Sequence, residues 1–150
     1  MKQIEDRLSE PWRSTAECLE NIEGNMVVLG AGGKMGPTLA MLLKKAAPEK
    51  DVYAVSRFSD SAVKSRLEEV GVVTVSCDLL DETCYSSLPD VRNVYYLAGM
   101  KFGATGKQAL TWAMNAYMPA LVARGLDSEF APKMSMKRPP PGPVPPSTAR

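Results

Sequence analysis

Three glycines recur at even spacing, Gly30-x-x-Gly33-x-x-Gly36, within the run Gly30-Ala31-Gly32-Gly33-Lys34-Met35-Gly36. Glycines so placed act by what they lack. The first permits a tight turn, the central ones let backbone N–H groups approach a phosphate, and the last lets a helix pack closely on a strand. A helix opening at this loop would offer unpaired N–H groups and its positive dipole end to an anion such as a pyrophosphate. Lys34 lies inside the loop and no Gly-Lys-Ser/Thr ending follows, which excludes the P-loop of nucleotide triphosphatases. The chemistry indicated is the binding of a dinucleotide, NAD or NADP. A glycine-rich turn serving only packing is the alternative.

Such a loop works only between a strand and a helix, and the flanking sequence supplies both. Asn25-Met26-Val27-Val28-Leu29 is a short apolar run without alternation, as expected of a parallel strand covered on both faces. Pro37 to Lys45 is helical in pattern, with proline in the first turn and two lysines near the end, stopped by Pro48. Strands follow at 51–56, 72–77 and 91–98, with a helical segment from Ser61 to Val70 closed by Gly71. Residues 79–90 read as a short helix or turns. A helix from about Thr105 to Arg124 is closed by Gly125 at its C′ position. The alternation predicts an α/β fold of Rossmann type: a parallel sheet with flanking helices, incomplete at about four strands.

The other candidate residues fall at the ends of those strands. Ser56 occupies the place where such a site usually presents an acid to the adenine ribose. Arg57 follows at once and could grip a 2′-phosphate, which tilts the choice toward NADP. Asp60 nearby keeps NAD open, and Arg57 could instead be a solvated surface residue. Asp78, ending the third strand, could accept a bond from the adenine amino group or could cap a turn. Leu97-Ala98-Gly99 would line the floor beneath the second ribose, where small residues ease backbone contact.

The bulk properties restrict the partners. The 150 residues contain 18 basic and 17 acidic side chains, for a formal net charge of +1. No basic face signals nucleic acid, and no apolar stretch is long enough to span a membrane. Histidine is absent, which removes histidine-based triads and histidine zinc sites. Cys18, Cys77 and Cys84 are odd in number and match no metal-ligand spacing, so a reduced, cytoplasmic setting is expected.

Three segments are expected. Residues 1–24 form an extension with one or two short helices, with Ser14-Thr15-Ala16-Glu17 as a capping box and Trp12 and Leu19 packed on the main domain. Residues 25–128 form the dinucleotide-binding part. Residues 129–150 are basic and proline-rich: the last twenty hold seven of the twelve prolines and four basic residues without an acid. Such a tail is expected to be extended and disordered.

Taken in order, Gly30-x-x-Gly33-x-x-Gly36, Val75-Ser76-Cys77-Asp78-Leu79, Val94-Tyr95-Tyr96-Leu97-Ala98-Gly99 and Trp112-Ala113-Met114-Asn115-Ala116 resemble the N-terminal half of the NAD-dependent epimerase/dehydratase family. That family consists of extended short-chain dehydrogenase/reductases, and the resemblance spans roughly residues 25–127. It implies bound NAD or NADP exchanging hydride with substrates that are often sugars or nucleotide sugars. It also implies that Asn115 supports the site from the long helix. The implied cofactor-binding set is Gly30, Gly33, Lys34, Met35, Gly36, Ser56, Arg57, Asp78, Leu79, Leu97, Ala98, Gly99 and Asn115.

The family's acid–base chemistry rests on a Tyr-x-x-x-Lys motif, and here the pattern departs. None of Tyr53, Tyr85, Tyr95, Tyr96 and Tyr117 has a lysine four residues later. Tyr95 and Tyr96 read as strand and pocket-wall residues and Lys101 as a surface or loop residue, so no catalytic residue is assigned. The change after about residue 128 reads as a truncated or frame-shifted gene product, with a natural small protein as the alternative. Three functions remain open: an oxidoreductase or epimerase by ancestry, a non-catalytic dinucleotide-binding or sensing module, and a non-functional fragment.

Overall fold

A computed structural model of the chain describes residues 2–100 and 105–126. Its centre is a four-stranded parallel sheet of β1 (Met26–Leu29), β2 (Val52–Ser56), β3 (Val73–Ser76) and β4 (Asn93–Tyr96), in the order β3-β2-β1-β4. The expected α/β class and strand number hold. All four β1 residues are buried, because a central strand with both faces covered has no solvent side to alternate with. In register, Met26 faces Val52 on one side and Asn93 on the other, and Leu29 faces Val55 and Tyr96.

Successive β1 side chains serve opposite layers. Met26 and Val28 join Ala40, Met41 and Leu43 of α3 (Gly36–Ala46) and Leu67 of α4 (Ser61–Glu69). Val27 and Leu29 join Leu79, Met118 and Val122 on the other face. The second layer is built by a 3₁₀ turn over Glu82–Ser87 and by the last helical stretch.

That stretch is not the single helix expected from 105 to 124. It runs as α5 (Gln108–Trp112), a π turn over Ala113–Tyr117 and α6 (Met118–Leu126). The Met118 N–H reaches back five residues to the Ala113 carbonyl. Pro119 explains the widening: it has no N–H for the Asn115 carbonyl, and its ring would crowd that carbonyl in a regular helix. Gly125 is not a C′ residue either, since it lies inside α6. A Cβ there would stand 2.8 Å from Cγ of Tyr85, so glycine admits the Tyr85 ring against the helix.

Residues 2–24 hold α1 (Lys2–Leu8) and α2 (Arg13–Glu20). Leu19 is buried in the sheet's first layer as expected, but Trp12 is 80% exposed. The expected capping box does not form. Trp12 takes the N-cap position without a side-chain bond, Ser14 lies within the helix, and Glu17 instead accepts from Arg13 at 2.8 Å. The extension is fastened by cations: Lys50 Nζ donates to the Leu19 and Ile22 carbonyls, Lys45 Nζ to Ser9 Oγ at 2.9 Å, and Arg66 pairs with Glu5. Lys101 and the proline-rich tail from 129 lie outside the described residues.

Candidate dinucleotide site

Where β1 ends, the chain must turn sharply and pass beside β4. Gly30 does both. Its φ of +87° lies in the left-handed region, and a Cβ on it would sit 2.5 Å from the amide nitrogen of Ala98. Gly36 lets α3 close onto the loop: a Cβ there would lie 2.5 Å from Ala31 Cα and 2.7 Å from the Gly30 carbonyl oxygen. Gly32 abuts the β2 end, with Ser56 Oγ 2.5 Å from where a Cβ would be. The Gly33 N–H turns inward and donates to the Gly30 carbonyl at 3.1 Å.

These turns frame a cavity of about 310 Å³ at the carboxyl ends of all four strands. Gly30, Gly33, Ser56, Arg57, Asp78, Leu79, Leu97, Ala98 and Gly99 line it, nine of the thirteen candidates from the sequence. Lys34, Met35, Gly36 and Asn115 lie outside its lining, and Met35 is 71% exposed. Gly32, Phe58, Ser59, Asp60, Val63, Cys77, Met114 and Met118 complete the wall. Phe58, Ser59 and Asp60 follow directly on Arg57. Phe58 has a φ of +45°, and that bend brings the whole β2–α4 connection onto the cavity, a conformation no residue type there announces.

The carboxylates of the wall, Asp60 and Asp78, and Asp81 in the turn beyond it are engaged locally. Asp60 caps α4, accepting from the Ala62 N–H at 2.9 Å. Asp78 accepts from the Leu80 N–H at 3.1 Å, the turn-capping role. Asp81 accepts from both the amide and the hydroxyl of Thr83, which holds its carboxyl below its ordinary pKa.

Asn115 works one step back from the cavity. Its Oδ1 accepts from the Met100 N–H at 2.7 Å, and its Nδ2 donates to the Met100 carbonyl at 2.8 Å. The amide thus pairs with Met100 as a neighbouring strand would, holding the segment that carries Leu97-Ala98-Gly99. The π turn supplies the position from which it reaches.

Two tyrosines stand close behind the wall. Tyr96 Oη donates to the Met114 carbonyl at 3.4 Å, and burial pushes its pKa up. Tyr85 donates to the Leu79 carbonyl, and burial, with Tyr96 and Glu82 nearby, pushes its pKa up to about 12. Tyr95, on the opposite layer, is also raised, first by burial and then by Cys18. All three shifts favour the neutral phenol over the phenolate that a base would need. No cluster of three or more Cys, Asp or Glu able to hold a metal occurs among the described residues. No helix among them is long and apolar enough to cross a membrane.

The thiols depart from expectation. Cys77 and Cys84 are joined in a disulfide with their Cα atoms 5.9 Å apart, while Cys18 is free and exposed.

No family model and no curated protein matches the chain in sequence. Solved structures do match in fold. The X-ray structure of Pen from Bacillus thuringiensis superposes with a TM-score of 0.57 at 16% identity, over 69% of this chain and 33% of that one. L-threonine dehydrogenase from Clostridium difficile gives 0.52 at 21% identity, over 69% and 34%. The chain thus spans about a third of the length of either neighbour. With its strand order and its helices on both faces, it has the architecture of part of a Rossmann fold.

Proposed function

We propose that residues 25–128 are an NAD(P)-binding unit, with 1–24 as a helical extension and 129–150 as a tail. The observation that carries this is the cavity's place. It opens at the carboxyl ends of the strands around β1, where the order reverses from β2 on one side to β4 on the other. In open α/β sheets that crevice is where ligands bind.

The residues fit such a ligand. Gly30, Gly32 and Gly33 line the cavity without side chains, and a Cβ on Gly30 or Gly32 would collide with Ala98 or Ser56. Arg57 lines the cavity, where a cation can meet a 2′-phosphate, and one oxygen of Asp60 already caps α4, which tilts the reading toward NADP over NAD. When bound, the nicotinamide ring gives or takes a hydride. The protein's own part is to bind, orient and exclude water. The lineage we infer is that of oxidoreductases resembling the epimerase/dehydratase family, with sugars or nucleotide sugars as the substrate class. No residue of this chain is assigned the proton transfer.

Fluorescence titration of the 150-residue chain with NADPH and NADH tests the reading. NADPH should bind, and Gly33→Asp should abolish binding by setting a carboxylate against the phosphates. Arg57→Ala should weaken NADPH about tenfold while sparing NADH. A folded chain that takes up neither nucleotide refutes the assignment.

A further inference from the structure

Cys77 is at once a cavity-wall residue, the neighbour of two other wall residues, Asp78 and Leu79, and one end of the disulfide. The other end, Cys84, sits on the 3₁₀ turn. The enclosed segment is otherwise held by short-range bonds: Asp81 N–H to the Asp78 carbonyl at 2.9 Å, Cys84 N–H to the Asp81 carbonyl at 3.1 Å, and the half-buried Tyr85 hydroxyl to the Leu79 carbonyl. Asp78, Asp81, Glu82 and Thr83 are exposed, so water competes for the two backbone bonds. Leu79 is the segment's one buried anchor. The Cα separation of 5.9 Å is one that a disulfide bridges without backbone movement, and both cysteines are half-buried, within reach of a small oxidant.

We propose that Cys77 and Cys84 are a redox couple whose oxidation clamps the Asp78–Leu79 wall and tightens dinucleotide binding. The second half rests on the dinucleotide reading of the cavity. The oxidant is a low-molecular-weight disulfide such as glutathione disulfide. One cysteine, as thiolate, attacks it and releases one glutathione thiol. The second cysteine displaces the other, forming the Cys77–Cys84 bond. Two electrons and two protons pass from the protein thiols to the two departing glutathiones. Reduction by a dithiol reverses the exchange. Pre-ordering about one backbone residue of the wall is worth roughly tenfold in affinity.

The test uses the full chain equilibrated with glutathione disulfide or with dithiothreitol. Alkylation and mass spectrometry identify the protected thiols, NADPH titration gives affinity, and hydrogen exchange follows the Leu80 and Asp81 amides. Oxidation should join Cys77 to Cys84 with the loss of two hydrogens and no added mass, while the exposed Cys18 alkylates or carries one glutathione, and it should slow exchange in the loop and tighten NADPH about tenfold. Cys84→Ser should behave as the reduced chain in both buffers. Should that variant misfold, the comparison of the two wild-type states still decides. Failure of the two thiols to pair overturns the proposal, as does pairing that leaves the loop's exchange unchanged or NADPH bound with unchanged affinity. Slower exchange on oxidation without NADPH binding in either state supports the clamp and refutes the dinucleotide reading instead.

Discussion

Gly30 and Ala98 are in such close contact that one methyl group would separate them: a Cβ on Gly30 would stand 2.5 Å from the Ala98 nitrogen and 2.7 Å from its Cα. The end of β1 and the end of β4 are thereby locked side by side. Gly30→Ala meets backbone rather than a movable side chain, and it also strains a φ of +87°. It should cost about 3 kcal/mol in urea unfolding. Gly106→Ala is the matched control, with a φ of +75° and nothing within 4 Å, and should cost only about 1 kcal/mol.

Asn115→Ala removes both bonds to Met100 at an exposed site, where water can replace them. The expected loss is about 1–2 kcal/mol of stability. The Leu97–Gly99 segment should exchange its amides faster, and NADPH affinity should fall with it. Asn115→Asp keeps the acceptor for the Met100 N–H but turns a second oxygen toward the Met100 carbonyl. It should recover little.

Gly125→Ala opposes two effects. Alanine favours a helix over glycine by about 1 kcal/mol. Here its Cβ would press on the Tyr85 ring at 2.8 Å, and overpacking costs about 1–3 kcal/mol. The net should be destabilising in the native background and stabilising in Tyr85→Ala. A double-mutant cycle by chemical denaturation reads the coupling.

Two titrations bear on the same turn. The raised Tyr85 phenol, at about 12 against an ordinary 10.0, means that the folded chain binds that proton more tightly than the unfolded chain. Its contribution is complete below pH 10 and is lost as pH rises toward 12. Ultraviolet titration should find Tyr85, Tyr95 and Tyr96 ionising late, and Tyr85→Phe should remove the step at about 12. Asp81 behaves oppositely. Its lowered pKa gives a contribution present above 3.8 and lost as pH falls below it, and Asp81→Asn should abolish the acid-induced loss of protection at the Thr83 amide, measured against the intrinsic exchange rate.

The strands were legible because each apolar run stops at Gly30, at Ser56-Arg57, at Asp78 or at Gly99. Their lengths were not. The fourth run extends from Val91 to Ala98, yet β4 has only the four residues that pair with the four of β1. The glycine loop and strand-end residues reached the cavity because period and position alone decide that. Lys34 and Met35 share the loop but not the lining, since nothing in spacing tells which way a loop residue turns. Asn115 could be placed on a helix, but its partner depends on a π turn set by Pro119 four residues on. The odd cysteine count argued for free thiols. The pairing of Cys77 with Cys84 depends on a 3₁₀ turn that composition does not reveal.

The lysine bonds to the N-terminal segment carry a consequence for how the protein comes apart. Lys50 stands just before β2 and holds the Leu19 and Ile22 carbonyls, while Leu19 shares a core with Met26 and Val52. The first helices are therefore stitched to the sheet they precede. Calorimetry should find one melting transition for both, and removing residues 1–24 would leave a torn hydrophobic seam along α3 rather than a trimmed end.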